Sequence, residues 1–352
     1  MADLRGYLEQ AVAEGASDLF IVAGGPVSCK RDGKLLHLSE GRVLPDDTAA
    51  LIGEIYALAG RDEASYLRDG DDDFSFALPG LARFRVSAYR QRGSLAAVIR
   101  VVAFEIPDYQ AMGIPEGVMA VAALTHGLVL VSGTAGSGKS TTQACLIDRI
   151  NHTREGHIIT LEDPIEFLHR DNRCIVSQRE IAIDTLDYPA ALRACLRQAP
   201  DVILLGEMRD YETIRTAMTA AETGHLVIAT LHTKGAVNTV DRIVDSFPPE
   251  QQAQVRIQLS MVLQSVISQQ LLPAASGGLV PAFELMHMNS AIRSMIRDSK
   301  NHQIDSVIQT SASEGMFSMD QSILKLWQEG RIAPETAVDY ADNPEQMRRR
   351  MK

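Results

Sequence analysis

The chain has 352 residues, 45% of them hydrophobic and 22% charged, which is enough apolar material for two folded domains or one large one. Its formal net charge of −11 argues against a protein that tracks nucleic acid, because holding a polyanion calls for a basic surface. The four cysteines, Cys29, Cys145, Cys174 and Cys195, stand far apart with no C-x-x-C pair, a spacing that argues against a four-cysteine zinc knuckle and fits reduced thiols in a cytoplasmic protein.

Met1-Ala2-Asp3-Leu4-Arg5 runs straight into a charged helical pattern, so no secretory leader is expected. Leu4, Leu8, Ala11 and Val12 predict an amphipathic helix ending near Gly15. Residues 18–22 read as a strand, and residues 27–38 as a hairpin turning at Asp32-Gly33. Asp46-Asp47-Thr48 then caps a helix carrying Leu51, Ile52, Ile55 and Leu58. After an acidic turn at Asp71-Asp72-Asp73, short strands follow one another, separated by Pro79-Gly80 and Gly93-Ser94. Phe84, Val86 and Ala88 alternate with Arg83, Arg85 and Ser87, so one face is buried and the other, read from this stretch alone, is a solvated basic surface. This pattern predicts an α+β domain over residues 1–103 and a linker over 104–116, where Pro107, Gly113 and Pro115 fall.

The apolar run from Gly127 to Ser132 feeds Gly133-Thr134-Ala135-Gly136-Ser137-Gly138-Lys139-Ser140-Thr141, and a helical pattern follows. This matches the phosphate-binding loop G-x-x-x-x-G-K-[ST] at every fixed position. The glycines let backbone N–H groups converge on an anion, and the helix N-terminus adds partial positive charge. In that role Lys139 reaches the β and γ phosphates and the Ser140 hydroxyl ligates Mg²⁺, so the expected ligands are ATP and Mg²⁺. A glycine-rich turn that binds nothing is the alternative, and the Lys-Ser pair between strand and helix tells against it.

Beyond the loop, apolar strands alternate with helices, as a mostly parallel sheet requires. A strand at residues 157–161 runs into Glu162, Asp163 and Glu166, and another at 202–205 runs into Gly206-Glu207. Gly206 stands where many P-loop enzymes carry an aspartate. Each acid alone would be a helix cap or a surface group; after two apolar strands, Glu166 and Glu207 are the best catalytic pair. His225 and His232 bracket a further strand, and spacing leaves open whether they are structural or sense the γ phosphate. Two long stretches, 117–138 and 257–283, lack charged residues, but the phosphate loop interrupts one and Gln264, Gln269, Gln270, Pro273 and Gly277-Gly278 the other, so neither reads as a membrane span.

These blocks together resemble the secretion-type ATPases of type IV pili and type II secretion. The resemblance rests on the phosphate loop, the acidic box at 162–167, the block Gly206-Glu207-Met208-Arg209-Asp210, the histidine box at 224–233, and the opening Gly15-Ala16-Ser17-Asp18-Leu19, where Phe20 replaces the usual histidine. Three features are similar to the pilus-retraction branch: the short chain without an extra N-terminal module, the missing four-cysteine insert, and Ala291-Ile292-Arg293-Ser294-Met295-Ile296, close to that branch's A-I-R-N-L-I. Ser294, Met295 and Ala199 depart from the family pattern.

The resemblance implies a PAS-like N-terminal domain, a RecA-like P-loop ATPase domain over residues 117–352 with a helical C-terminal segment, and a homohexameric ring. It implies that Arg85, Arg100 and Arg242 approach the nucleotide, that Glu166 activates water, and that Ser140, Glu162 and Glu207 lie on the metal side. The implied partners are an inner-membrane pilus platform protein and a paralogous retraction ATPase, with no nucleic acid; the implied location is cytoplasmic, at the inner membrane through the pilus machine. The rival readings are a pilus-assembly or secretion motor, a weakly hydrolysing nucleotide-gated partner subunit, and a RecA-like DNA motor, the last disfavoured by charge. The basic tail at Arg348-Arg349-Arg350 reads as a solvated helix.

Overall fold

The computed structural model describes residues 3–31, 33–102 and 106–352. Met1 and Ala2, Asp32 of the expected turn, residue 103 at the end of the expected first domain and residues 104–105 of the expected linker lie outside the described residues. The chain divides into two compact units, one holding the described residues up to Val102 with Glu166–Leu168, the other holding Ile106–Ile165 and His169–Lys352.

The first unit runs α1 (Leu4–Ala13), β1 (Asp18–Ile21), β2 (Ser28–Arg31), β3 (Lys34–His37), α2 (Pro45–Ala59), α3 (Ala64–Asp69), β4 (Asp71–Leu78), β5 (Ala82–Gln91) and β6 (Ser94–Val102). Its six strands form an antiparallel sheet in the order β3-β2-β1-β6-β5-β4. Phe84, Val86 and Ala88 point into a core with Leu4, Leu8, Ile52 and Ile55, while Arg85 and Ser87 stay exposed, as the alternation requires. Tyr56 packs on Phe74 with ring centroids 4.9 Å apart.

Three local expectations need correction. Asp71-Asp72-Asp73 is not a turn but the start of β4, paired with Tyr89, Ala88 and Ser87; Asp72 accepts from the Tyr56 hydroxyl at 2.9 Å. Helix α2 begins at Pro45, and its acids sit in the first turn, where Asp47 accepts the Leu44 N–H at 2.8 Å. Leu58 on that helix is exposed. Helix α3 was not foreseen: six residues are too few for a periodic signal.

The second unit continues with α4 (Glu116–Met119), β7 (Gly127–Ser132), α5 (Lys139–Thr153), β8 (Gly156–Glu162), β9 (Cys174–Glu180), α6 (Tyr188–Cys195), β10 (Val202–Leu205), α7 (Tyr211–Glu222), β11 (Leu226–Leu231), α8 (Ala236–Asp245) and α9 (Pro249–Val262). It ends in β12 (Leu263–Pro273), β13 (Leu279–His287), α10 (Ser290–Arg297), α11 (Ile304–Thr310), α12 (Met319–Gln328), α13 (Pro334–Tyr340) and α14 (Pro344–Arg350). The sheet order is β13-β12-β7-β11-β10-β8-β9, parallel except for the β12–β13 hairpin. Strands β7, β10 and β11 are buried along their whole length, which is why they read as continuous apolar runs. The architecture is thus mixed α/β with a largely parallel sheet.

The uncharged stretch at 257–283 resolves into the end of α9 and the hairpin strands, and among the described residues no helix is long and apolar enough to cross a membrane. The C-terminal segment is docked on one face: Met347 of α14 is 1% exposed, whereas Arg348, Arg349 and Arg350 face outward. All four cysteines are free and buried. Burial pushes every thiol upward, Cys145 and Cys195 to about 11.

Candidate active site

Strands β7, β8, β10 and β11 run parallel, so their C-terminal ends share one edge of the sheet, where open α/β sheets bind ligands. The phosphate loop leaves β7 at that edge and enters α5 at Lys139. Gly133 has φ +150°, and a Cβ there would fall 2.4 Å from the Gln269 carbonyl oxygen of β12, so only glycine lets the backbone pass. The Lys139 ammonium donates to the Gly133 and Thr134 carbonyls at 2.9 and 2.8 Å, which holds the lysine along the loop. Ser137 carries a buried hydroxyl with no partner among the described residues, a polar atom suited to a phosphate oxygen. Helix α5 is pinned on both sides. Thr142 donates to Gln269 Oε1 at 2.7 Å, and Gln143 Nε2 to the Leu205 carbonyl at 3.4 Å. Ser140, in the first turn, is half-buried.

Glu207 follows β10 and is 7% exposed, with its carboxylate between the Arg209 guanidinium and His232 Nε2, the latter at 3.2 Å. The neighbouring backbone is tied to both flanking strands: Gly206 donates its N–H to Leu161, Met208 donates to Thr230 at 3.0 Å, and the Thr230 hydroxyl bonds the Gly206 carbonyl. Glu162 ends β8, where Thr160 Oγ1 and Gln178 Nε2 donate to its Oε1 at 2.6 and 3.2 Å. The glycine at 206 has a physical reason. A Cβ there would lie 2.7 Å from the Tyr188 hydroxyl and 3.3 Å from Glu162 Cα, so an aspartate has no room. Burial, then Glu207, Asp163 and Glu162, push the Tyr188 phenol well above its ordinary value.

These residues suit Mg²⁺ with ATP. Among the described residues no three or more His, Cys, Asp or Glu are arranged to hold a metal alone. An ion held by one or two acids, a hydroxyl and phosphate oxygens is the kind that fits Ser140, Glu162 and Glu207, and Mg²⁺ prefers that mode.

Other expected site residues stand elsewhere. His225 precedes β11, at the opposite end of the strand: its Nδ1 lies 3.0 Å from the Ala220 carbonyl oxygen, and Leu226 pairs with Gly127 at the start of β7. A six-residue strand spans roughly 20 Å, so of the two histidines only His232 stands at the loop end within this chain. Arg242 is exposed in the last turn of α8. Glu166 is exposed and grouped with the first unit, whereas Glu207 follows β10 in the second. Arg85 and Arg100 face one another across the β5–β6 ladder, and Arg100 is held by Asp18 at 3.0 Å. Sequence reasoning missed Tyr188, Thr142, Gln143 and Gln269; the Gln269-Gln270 pair within an apolar run was the one visible sign of a buried polar contact.

The family model described as type II/IV secretion system protein matches residues 2–277. The chain belongs to this family. Within the type II/IV secretion family it is 45% identical to the type IV pilus retraction ATPase PilT of Pseudomonas aeruginosa, over 97% of this chain and 99% of that protein. It is 46% identical to a twitching motility protein of Neisseria gonorrhoeae, covering 86% of this chain and 82% of that one. A crystal structure of the pilus retraction motor PilT with bound ADP superposes with a TM-score of 0.90 at 44% identity, covering 99% of both chains.

Proposed function

We propose that this member of the type II/IV secretion family is an Mg²⁺-dependent ATP hydrolase that powers retraction of a type IV pilus, working as a homohexamer against an inner-membrane platform protein. The observation that carries the reading is the meeting, at one sheet edge, of a complete phosphate loop with Glu207 and His232. In this reading, the N–H groups at Gly133–Lys139 bind the phosphates and Lys139 exchanges its carbonyl partners for phosphate oxygens. Mg²⁺, when bound, neutralises phosphate charge. Ser140, Glu162 and Glu207 are the residues that would hold it, and Glu166 is the proposed acid for activating water. The hydrogen bond between His232 and Glu207 supports a role for His232 in reporting the γ phosphate to that carboxylate. The likeness to PilT along nearly the whole chain supports retraction over assembly as the task.

The test is ATP turnover of the purified full chain, with its mass in solution measured on the same sample. Turnover in a six-subunit ring, lost in Lys139→Ala, is expected. A ring that binds ATP without hydrolysing it would overturn the motor assignment in favour of a nucleotide-gated partner subunit.

A further inference from the structure

The carboxylates at the strand ends surround one neutral donor that the reading above leaves unused. Tyr188 is the first residue of α6, and Asp187 caps that helix by accepting the Ala190 N–H at 2.7 Å. The cap fixes the helix start, and the ring reaches the neighbouring C-terminal ends of β8 and β10. The hydroxyl lies over Gly206, so close that a Cβ on that residue would come within 2.7 Å of it. Glu162 and Leu161 border the same spot, 3.3 Å from that Cβ position, and Glu207 is the next residue along the chain. Among the described residues the hydroxyl has no hydrogen-bond partner, although the rest of this edge is bonded in detail: Thr160 and Gln178 hold Glu162, and Arg209 and His232 hold Glu207. The ring is half-buried and packs against the core under the sheet. Packing alone would be met by phenylalanine. The hydroxyl is the part that packing does not explain.

We propose that the Tyr188 hydroxyl is a positioning group for ATP hydrolysis, donating a hydrogen bond to water held among Glu162, Asp163 and Glu207. The phenol neither gains nor loses a proton. It fixes the orientation of the attacking water, whose own proton passes to the activating acid proposed above as its oxygen bonds to the γ phosphorus and the β–γ bridging oxygen leaves with ADP. Gly206 is the structural counterpart, because the missing side chain is the space the hydroxyl occupies.

This inference rests on the ATPase reading, and one experiment separates the two. Wild type, Lys139→Ala and Tyr188→Phe full-length proteins are compared for kcat and KM with Mg-ATP, and for melting temperature. Loss of one hydrogen bond to a charge-linked water predicts about a tenfold fall in kcat for Tyr188→Phe, with KM and melting temperature unchanged. Wild-type turnover with an equal kcat in Tyr188→Phe would overturn the role of the hydroxyl and leave the ATPase reading standing. A kcat loss matched by a drop in melting temperature would overturn it too, assigning the tyrosine to packing. Absence of turnover in the wild type would remove both ideas together.

Discussion

Replacing Glu284 by glutamine should abolish a pH dependence of stability that the fold builds in. Glu284 lies on β13, 5% exposed, and accepts the N–H of Ala236 at 2.7 Å and of Met319 at 3.4 Å, the first residues of α8 and α12. It borders a cavity of about 400 Å³ that Asp305, Asp320 and Asp342 also line, with Lys234 paired to Asp342 at 3.3 Å. Burial raises its pKa from 4.5 to about 7, with Asp305 and Asp342 adding to the rise and the two backbone donors opposing it. The folded chain therefore keeps this proton in a range where the unfolded chain releases it. Stability falls as pH climbs from about 4.5, and the cost is complete above about 7. At roughly 1.4 kcal/mol per pKa unit, the ionised carboxylate costs about 3 kcal/mol. Glutamine keeps an acceptor for Ala236 and carries no charge. Between pH 5 and 8 the wild type should lose about 3 kcal/mol relative to Glu284→Gln, or roughly 6–12 °C in the melting temperature of a unit this size. Thermal scans of both full-length proteins across that range make the test. Melting curves that shift in parallel with pH would refute the reasoning.

Two further substitutions probe the site and its support. Gly206→Ala should reduce turnover and cost about 1–3 kcal/mol by overpacking against Tyr188 and Glu162 Cα, with part of the loss recovered in the double variant with Tyr188→Phe; kcat and melting temperature of the three proteins check it. Arg293→Ala should cost about 1.5–3 kcal/mol in chemical denaturation, because the guanidinium bonds the Ser260 and Met261 carbonyls at the end of α9 and Gln264 Oε1 at 3.4 Å. Arg293→Lys should restore less than half of it, since one ammonium cannot reproduce the planar fork.

The parts of this protein that show in its sequence are those whose physics is local. The phosphate loop is recognisable because glycine, lysine and hydroxyl must fall at fixed offsets between a strand and a helix. Strands β7, β10 and β11 are recognisable because burial on both faces leaves no polar position. Tyr188 was invisible for the opposite reason: it is eighteen residues from Gly206 in the chain, and only the pairing of β8 with β10 brings the two together. The role of the two histidines stayed open in the sequence through the same gap, since sequence shows that two histidines flank a strand but not which end meets the loop. Gln269 belongs with these, its contacts to Thr142 and the loop created by β12 lying beside β7.

The buried thiols bear on how the motion of such a motor could be watched. With pKa values of about 11, Cys145 and Cys195 expose thiolate in only about one molecule in several thousand near pH 7.5, and Cys29 and Cys174 are shielded in the same sense. A cysteine placed on the surface, with an ordinary pKa near 8.5, would present on the order of a hundredfold more. The natural chain is thus already a quiet background for single-site chemistry: a dye or spin label can be attached at one chosen position without first removing the protein's own sulfur.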